Sequence, residues 1–256
     1  MIETENTAAI TTMDGWEKID CPTCGSTRFT HVFDKNDEPF VRCNSCSLLL
    51  INPRPVYKKV QGTYSKDYSE KYSRKGEKKL LRCKRWVARA KRFNRLEGRW
   101  LDVGCSVGFV VKAASELGFD AYGVDVESWA IKYGANELKL KNLFAGSLEE
   151  QKFPDSFFSG ISLYDVIEHV PDLNSLAAEL KRILANDGII DIITPDLCHW
   201  RVPADLSSWN EIKPSEHLYY FSIETLSRLL EKHGLKITKK RFYLKPSLRV
   251  YVGHTE

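Results

Sequence analysis

The sequence predicts an α/β protein, a mostly parallel sheet with helices on both faces, preceded by a small cysteine-rich module. Three observations lead there. From residue 99 onward, apolar strand-like runs alternate with helix-period segments, the pattern of a parallel sheet whose crossovers are helices. Near the N-terminus two Cys-x-x-Cys pairs stand 18 residues apart. The 256 residues, 43% of them apolar, can bury a full core and fit one to two domains. The chain therefore divides into a metal-binding ribbon over residues 1–55, a basic helical linker over 56–98 and an α/β domain over 99–256.

In the first block, Cys21-Pro-Thr-Cys24 and Cys43-Asn-Ser-Cys46 have the spacing of a zinc ribbon. Four thiolates in tetrahedral array suit a closed, structural zinc site with no open position for catalysis. Gly25, Asn44 and Ser45 fit tight knuckle turns, and Phe29, Val32, Phe33, Phe40 and Val41 fit the intervening hairpin. So small a module depends on its metal to fold. The first residues lack the positive start and apolar stretch of a secretory signal. No later run approaches the roughly 20 apolar residues of a membrane helix. The expectation is a cytoplasmic protein with no membrane span, a reducing setting in which clustered cysteines bind metal rather than pair.

The linker begins after Asn52-Pro53-Arg54-Pro55, whose prolines disfavour helix. Residues 58–99 hold 16 Lys+Arg against 4 Asp+Glu, so the net charge of +4 conceals a segment of +12 and a remainder of −8. With Tyr57, Tyr64, Tyr68 and Tyr72 interleaved, such a block can be an electrostatic footprint for nucleic acid. It can equally be the wet face of a helix, because Leu80, Leu81, Cys83, Trp86, Val87, Ala90 and Phe93 recur near the helical period.

In the third block, strands are expected at 100–103, 121–125, 143–145, 160–164, 188–194, 236–243 and 248–252. Helices are expected at 107–117, 128–138, 173–185 and 223–233. The first strand runs into RWLDVGCSVGFVVKAA, residues 99–114, where an apolar strand ends in an acid, a Gly-rich turn follows and a helix begins. Gly104 and Gly108 let backbone approach a ligand closely. The dinucleotide fingerprint GxGxxG is missing, which disfavours a nicotinamide enzyme, and Asp102 stands where it would repel a pyrophosphate. An acid there suits a ligand with a cationic amino group and a sulfonium, such as S-adenosylmethionine. Asp125, 17 residues beyond Gly108, ends the second strand where a carboxylate can accept hydrogen bonds from both ribose hydroxyls.

At these residues the sequence resembles the class I S-adenosylmethionine-dependent methyltransferases. Their first motif, acid-x-Gly-x-Gly-x-Gly, is matched by Asp102, Gly104, Ser106 and Gly108, with serine in place of the central glycine. The resemblance continues through Gly146-Ser147-Leu148, where the family contacts adenine, then DVIEHVPD, LKRILANDG and EHLYYFS. It covers nearly everything after residue 99 and is strongest toward bacterial small-molecule enzymes of quinone and polysaccharide pathways. What it implies is a Rossmann-like sheet of seven strands, S-adenosylmethionine as methyl donor and a small-molecule acceptor, a saccharide or quinone-like hydroxyl.

A hydroxyl acceptor needs a base. His169, at the carboxyl end of the fourth strand, and His217, in the loop after the fifth, are the catalytic candidates, because neutral imidazole takes a proton near pH 7. Glu168 and Glu216 precede them and can orient a histidine. The loop at 195–218, with His199, Trp200, Arg201, Trp209, Asn210 and Lys213, is placed either to shape an acceptor pocket or to clamp itself to the core. Cys105 is expected to be packing rather than nucleophile. Two alternatives stand beside the small-molecule enzyme. One is an RNA methyltransferase whose ribbon and basic helix bind the backbone, and the other is a non-catalytic zinc-ribbon binding protein. Salt dependence of binding distinguishes the first and a cofactor titration the second. The sequence is silent on acceptor identity and oligomeric state.

Overall fold

The structure, a computed structural model, describes residues 11–13, 15–56 and 76–255. Tyr57, Tyr64, Tyr68 and Tyr72 fall outside these residues. Strands β1 (Thr11–Met13) and β2 (Trp16–Lys18) pair antiparallel. Next, β3 (Phe29–Lys35), β4 (Glu38–Cys43) and β5 (Leu49–Ile51) form an antiparallel ribbon, and β6 (Arg54–Pro55) returns to β2. The knuckle turns close through Gly25 N–H to Cys21 O at 2.7 Å and Ser47 N–H to Cys43 O at 2.9 Å.

Helix α1 (Gly76–Asn94) buries Cys83, Val87 and Ala90, a stripe at helical spacing, against Phe109, Val110 and Ala113 of the next helix. Arg82, Arg85, Arg89 and Arg92 stay exposed on the opposite side. The described part of the basic segment thus has the solvated cationic face of an amphipathic helix.

The α/β part follows as β7 (Arg99–Val103), α2 (Phe109–Glu116), β8 (Asp120–Asp125), α3 (Ser128–Glu137), β9 (Leu143–Ala145), β10 (Phe158–Tyr164), α4 (Leu173–Ile183), β11 (Leu184–Pro195), β12 (Tyr219–Tyr220), α5 (Ile223–Glu231), β13 (Leu235–Lys240) and β14 (Ser247–His254). The seven-stranded sheet has the order β13-β14-β11-β10-β7-β8-β9. Within it β14 alone runs against its neighbours. The chain steps outward from β7 to β8 and β9, then returns to the other side of β7 with β10 and β11. That reversal leaves a crevice at the carboxyl ends of β7 and β10, where open α/β sheets bind ligands. Helix α4 stops two residues earlier than its periodicity suggests, and Leu184 is already extended, so β11 begins there.

The short strand β12 does not join this sheet. It pairs antiparallel with β5, extending the ribbon to the order β12-β5-β4-β3. Its two residues point to opposite faces, as a strand requires. Tyr219 packs into the main core with Leu48, Leu50 and Phe221, and Tyr220 packs with Phe40, Leu49, Ile51 and Trp209. The ribbon and the α/β part therefore share apolar cores.

A buried cation pins this junction. Arg54 donates to Glu17 at 2.7 Å, to the Tyr219 hydroxyl at 2.5 Å and to the Pro171 carbonyl at 3.0 Å. Removing one partner of such a pair strands the other's charge in an apolar setting. Glu17→Ala should therefore destabilise the protein by about 3 to 5 kcal/mol in denaturant unfolding, and Glu17→Ala with Arg54→Met should recover a large part of the loss. Additive losses would show that the two side chains act independently.

Candidate active site

The turn after β7 is built by backbone constraint. Gly104 (φ +70°) and Gly108 (φ +91°) both sit in the left-handed region. A Cβ on Gly104 would lie 2.4 Å from Val166 Cγ2, and one on Gly108 would lie 2.4 Å from Leu140 Cδ1. Ser106 adopts φ +49°, so serine takes a conformation that glycine reaches more cheaply. Asp125, at the end of β8, holds the turn: its carboxylate accepts from Ser106 N–H at 2.7 Å and Glu127 N–H at 2.8 Å. Each carboxylate oxygen has a second lone pair to offer. The Asp125 carbonyl accepts from Gly146 N–H at 3.0 Å, tying in the segment after β9.

Asp102 is 3% exposed and accepts from the Ser162 hydroxyl at 2.6 Å. Burial pushes its carboxyl up to about 8; the serine opposes the shift and the negative Asp125 adds to it. A strongly raised acid in a crevice marks a candidate functional position. The cleft above it is lined by Arg82 and Trp86 of α1, by Gly104 and Cys105 of the turn, and by Tyr164 and Asp165 of the β10 end. Cys105 is buried and burial drives its thiol well above the ordinary range, the profile of a packing residue.

The structure thus brings Asp102, Gly104, Ser106, Gly108 and Asp125 together. Ser147 is half-buried, and its N–H donates to Glu150 at 2.8 Å. Leu148 turns its side chain into the main core beside Phe153.

His169 and His217 meet edge to face, with ring centroids 4.6 Å apart. His169 is half-buried, and its Nδ1 lies 2.7 Å from the Glu216 carbonyl. That contact assigns the proton to Nδ1 and leaves Nε2 as the basic nitrogen. Burial lowers its pKa to about 4. His217 is 2% exposed, its Nδ1 has no hydrogen-bond partner, and burial followed by the neighbouring His169 lowers it to about 2. Both rings are neutral at pH 7. Glu168, fully buried, completes the group: burial raises it to about 8, and it accepts from Thr194 at 3.0 Å. Ligand atoms of Glu168, His169 and His217 all lie within 4.8 Å of one another.

The loop after β11 divides its aromatic residues. Trp209 is buried against the ribbon, whereas Trp200 is 68% exposed, stacks on His199 and lines a second cleft with Lys240, Arg241 and Tyr243. Sequence reasoning missed Trp86, Ser162, Thr194 and Tyr164 as parts of the site. Trp86 counted only as part of the apolar stripe of α1, and the other three lie inside strands whose pattern marks burial alone.

In the ribbon, the four cysteine sulfurs lie within 4.8 Å of one another. Cys21 Sγ is 3.4 Å from Cys46 Sγ, and Cys24 Sγ is 3.5 Å from Cys43 Sγ. These are close to the edges, roughly 3.8 Å, of a tetrahedron of sulfurs about 2.3 Å from a common centre. They far exceed a disulfide bond of about 2.05 Å.

A family model for the methyltransferase domain matches residues 74–240, more than half of the chain. The chain belongs to this methyltransferase family. A ubiquinone biosynthesis O-methyltransferase of Rhodopseudomonas palustris strain BisB18 is 29% identical over 116 residues, 44% of this chain and 46% of the relative. The chain therefore spans about half the length of the curated relatives it matches. Among solved structures, an S-adenosylmethionine-dependent methyltransferase from Clostridium acetobutylicum superposes with a TM-score of 0.56 at 10% identity, covering 69% of this chain and 92% of that one. A SAM-dependent methyltransferase from Archaeoglobus fulgidus gives 0.55 at 25% identity, covering 70% and 78%. The methyltransferase domain thus has the Rossmann-like fold expected, with Asp102 and Asp125 at its switch point.

Proposed function

We propose that the chain is an S-adenosylmethionine-dependent methyltransferase acting on a hydroxyl of a small-molecule acceptor, saccharide or quinone-like. The observation that carries this reading is the buried Asp102 carboxylate with one side-chain hydrogen bond, facing a cleft one strand from Asp125. Membership in the methyltransferase family and relatives named as O-methyltransferases support it.

When bound, S-adenosylmethionine supplies an electrophilic methyl group on a sulfonium. Asp102 would pair with its cationic end, Asp125 would accept from the ribose hydroxyls, and the Gly104 to Gly108 backbone would lie against it. The chain's task is to hold the acceptor oxygen in line with that methyl and to take its proton. His169 is the acceptor-side base in this reading, through Nε2. His217 is a positioning residue that packs edge-on against it. Its burial keeps it from the acceptor itself.

The test is to incubate the full chain with methyl-labelled cofactor and fractionated small-molecule extract. Label should enter a low-molecular-weight fraction, and His169→Gln should lower turnover roughly 100-fold to 10,000-fold with cofactor affinity unchanged. Label in RNA, or none in any fraction, would sink the reading.

We also propose that Cys21, Cys24, Cys43 and Cys46 hold one structural zinc ion per chain. All four positions of a tetrahedral ion are filled, so it would order the ribbon and take no part in methyl transfer. Elemental analysis of the purified protein should find close to one equivalent, and Cys43→Ser should abolish it. Full folding of a metal-free protein would contradict this.

A further inference from the structure

Arg249, on β14, pairs across to Ile193 of β11 near the carboxyl edge of the sheet. It is 7% exposed. Among the described residues its guanidinium makes no hydrogen bond and no ion pair, and its Nε is buried without a partner. Two carboxylates act on it electrostatically: Asp165 makes no ion pair with it, and Asp191 is already taken by Arg241 and by the Tyr164 hydroxyl. A buried donor without a partner is costly, because its water is lost and nothing replaces it.

Two aromatic rings stand beside the guanidinium. Its Cζ stands 3.5 Å from the Tyr243 ring centroid and 5.5 Å from that of Trp86. Cation–π contact of this kind uses no N–H donor, and no protein acceptor among the described residues takes one either. A guanidinium that keeps its donors beside aromatic rings can receive a planar or tetrahedral oxyanion through two parallel hydrogen bonds.

Its place in the fold says what the anion would belong to. Trp86 lines the cleft above Asp102 and meets Tyr164 edge-on at 4.9 Å, with Arg82 over its other side at 5.0 Å. Tyr243 lines the second cleft, with His199 and Trp200. Arg249 therefore stands beside one ring of each cleft, Trp86 of the cleft assigned above to the methyl donor and Tyr243 of the second.

We propose that Arg249 is the anchor of an acceptor subsite for an oxyanion, so that the methyl acceptor carries a carboxylate or phosphate group. This deepens the methyltransferase reading and rests on it. The anion would pair with a largely buried cation whose Nε has no other partner.

The test is calorimetric titration of the full chain with three probes: benzoate, inorganic phosphate and the neutral benzamide. One of the two anions should bind saturably and at least tenfold more tightly than benzamide, with affinity falling as salt rises. Benzoate preference assigns a carboxylate acceptor and phosphate preference a phosphoryl one. Arg249→Gln should weaken that anion at least tenfold, and Arg249→Lys should fall between, while S-adenosylmethionine affinity stays within twofold. If neither anion exceeds benzamide on the wild-type chain, or if Arg249→Gln binds the anion as well as wild type does, the subsite is wrong. The wild-type comparison decides even if Arg249→Gln does not fold. Failure of S-adenosylmethionine to bind at all would instead overturn the methyltransferase reading and leave the anion result standing.

Discussion

A single buried carboxylate organises the α/β part of this protein. Asp102 is held at the end of β7 by strands on either side, where the chain's reversal leaves a crevice, and one serine hydroxyl is its side-chain hydrogen-bond donor. Desolvation makes its ionised form unfavourable, which is why its pKa rises to about 8. The neighbouring features are packed round the same crevice: glycines where a Cβ would meet Val166 and Leu140, and a second carboxylate at the end of β8 that accepts from Ser106 N–H in the turn and from Glu127 N–H.

The second constraint is the joint between ribbon and catalytic part. A two-residue strand is too short to stand alone, yet Tyr219 and Tyr220 complete the ribbon sheet and place one ring in each of two cores. They are joined to His217 through Leu218, whose N–H donates to the Glu168 carbonyl at 2.8 Å. The ribbon is thereby coupled to the histidine pair through a few residues of backbone. Whatever orders the ribbon therefore also bears on where the two histidines sit.

Much of this was legible in the sequence, for physical reasons. Cysteine spacing, an acid before a Gly-rich turn and a second acid at the next strand end are local patterns, and each signals its chemistry directly. Ser106 stands in place of the motif's central glycine, and its φ of +49° shows serine taking the left-handed turn conformation. What stayed hidden depends on distant pairing. Nothing about Tyr219-Tyr220 marks it as the fourth strand of a sheet begun at residue 29. Trp209 and Trp200 look alike in sequence, yet one is a core residue and the other is exposed. The two histidines were legible as candidates but not as a touching pair, and burial that makes one inaccessible has no local signature. Arg249 lies in an apolar strand run, where an unpaired guanidinium is visible only once its surroundings are known.

The central claim, that Asp102 is balanced by a cationic ligand, has a direct thermodynamic readout. A carboxyl with a pKa near 8 is largely protonated at pH 7, and pairing with a cation lowers that pKa, so binding must expel a proton. Affinity should correspondingly weaken as pH falls below about 8. Calorimetry of S-adenosylmethionine binding at pH 7, in buffers of differing ionisation enthalpy, measures the proton directly. The account predicts release approaching one proton per cofactor bound, lost in Asp102→Asn. Tight binding with no proton release, unchanged in that variant, would contradict it.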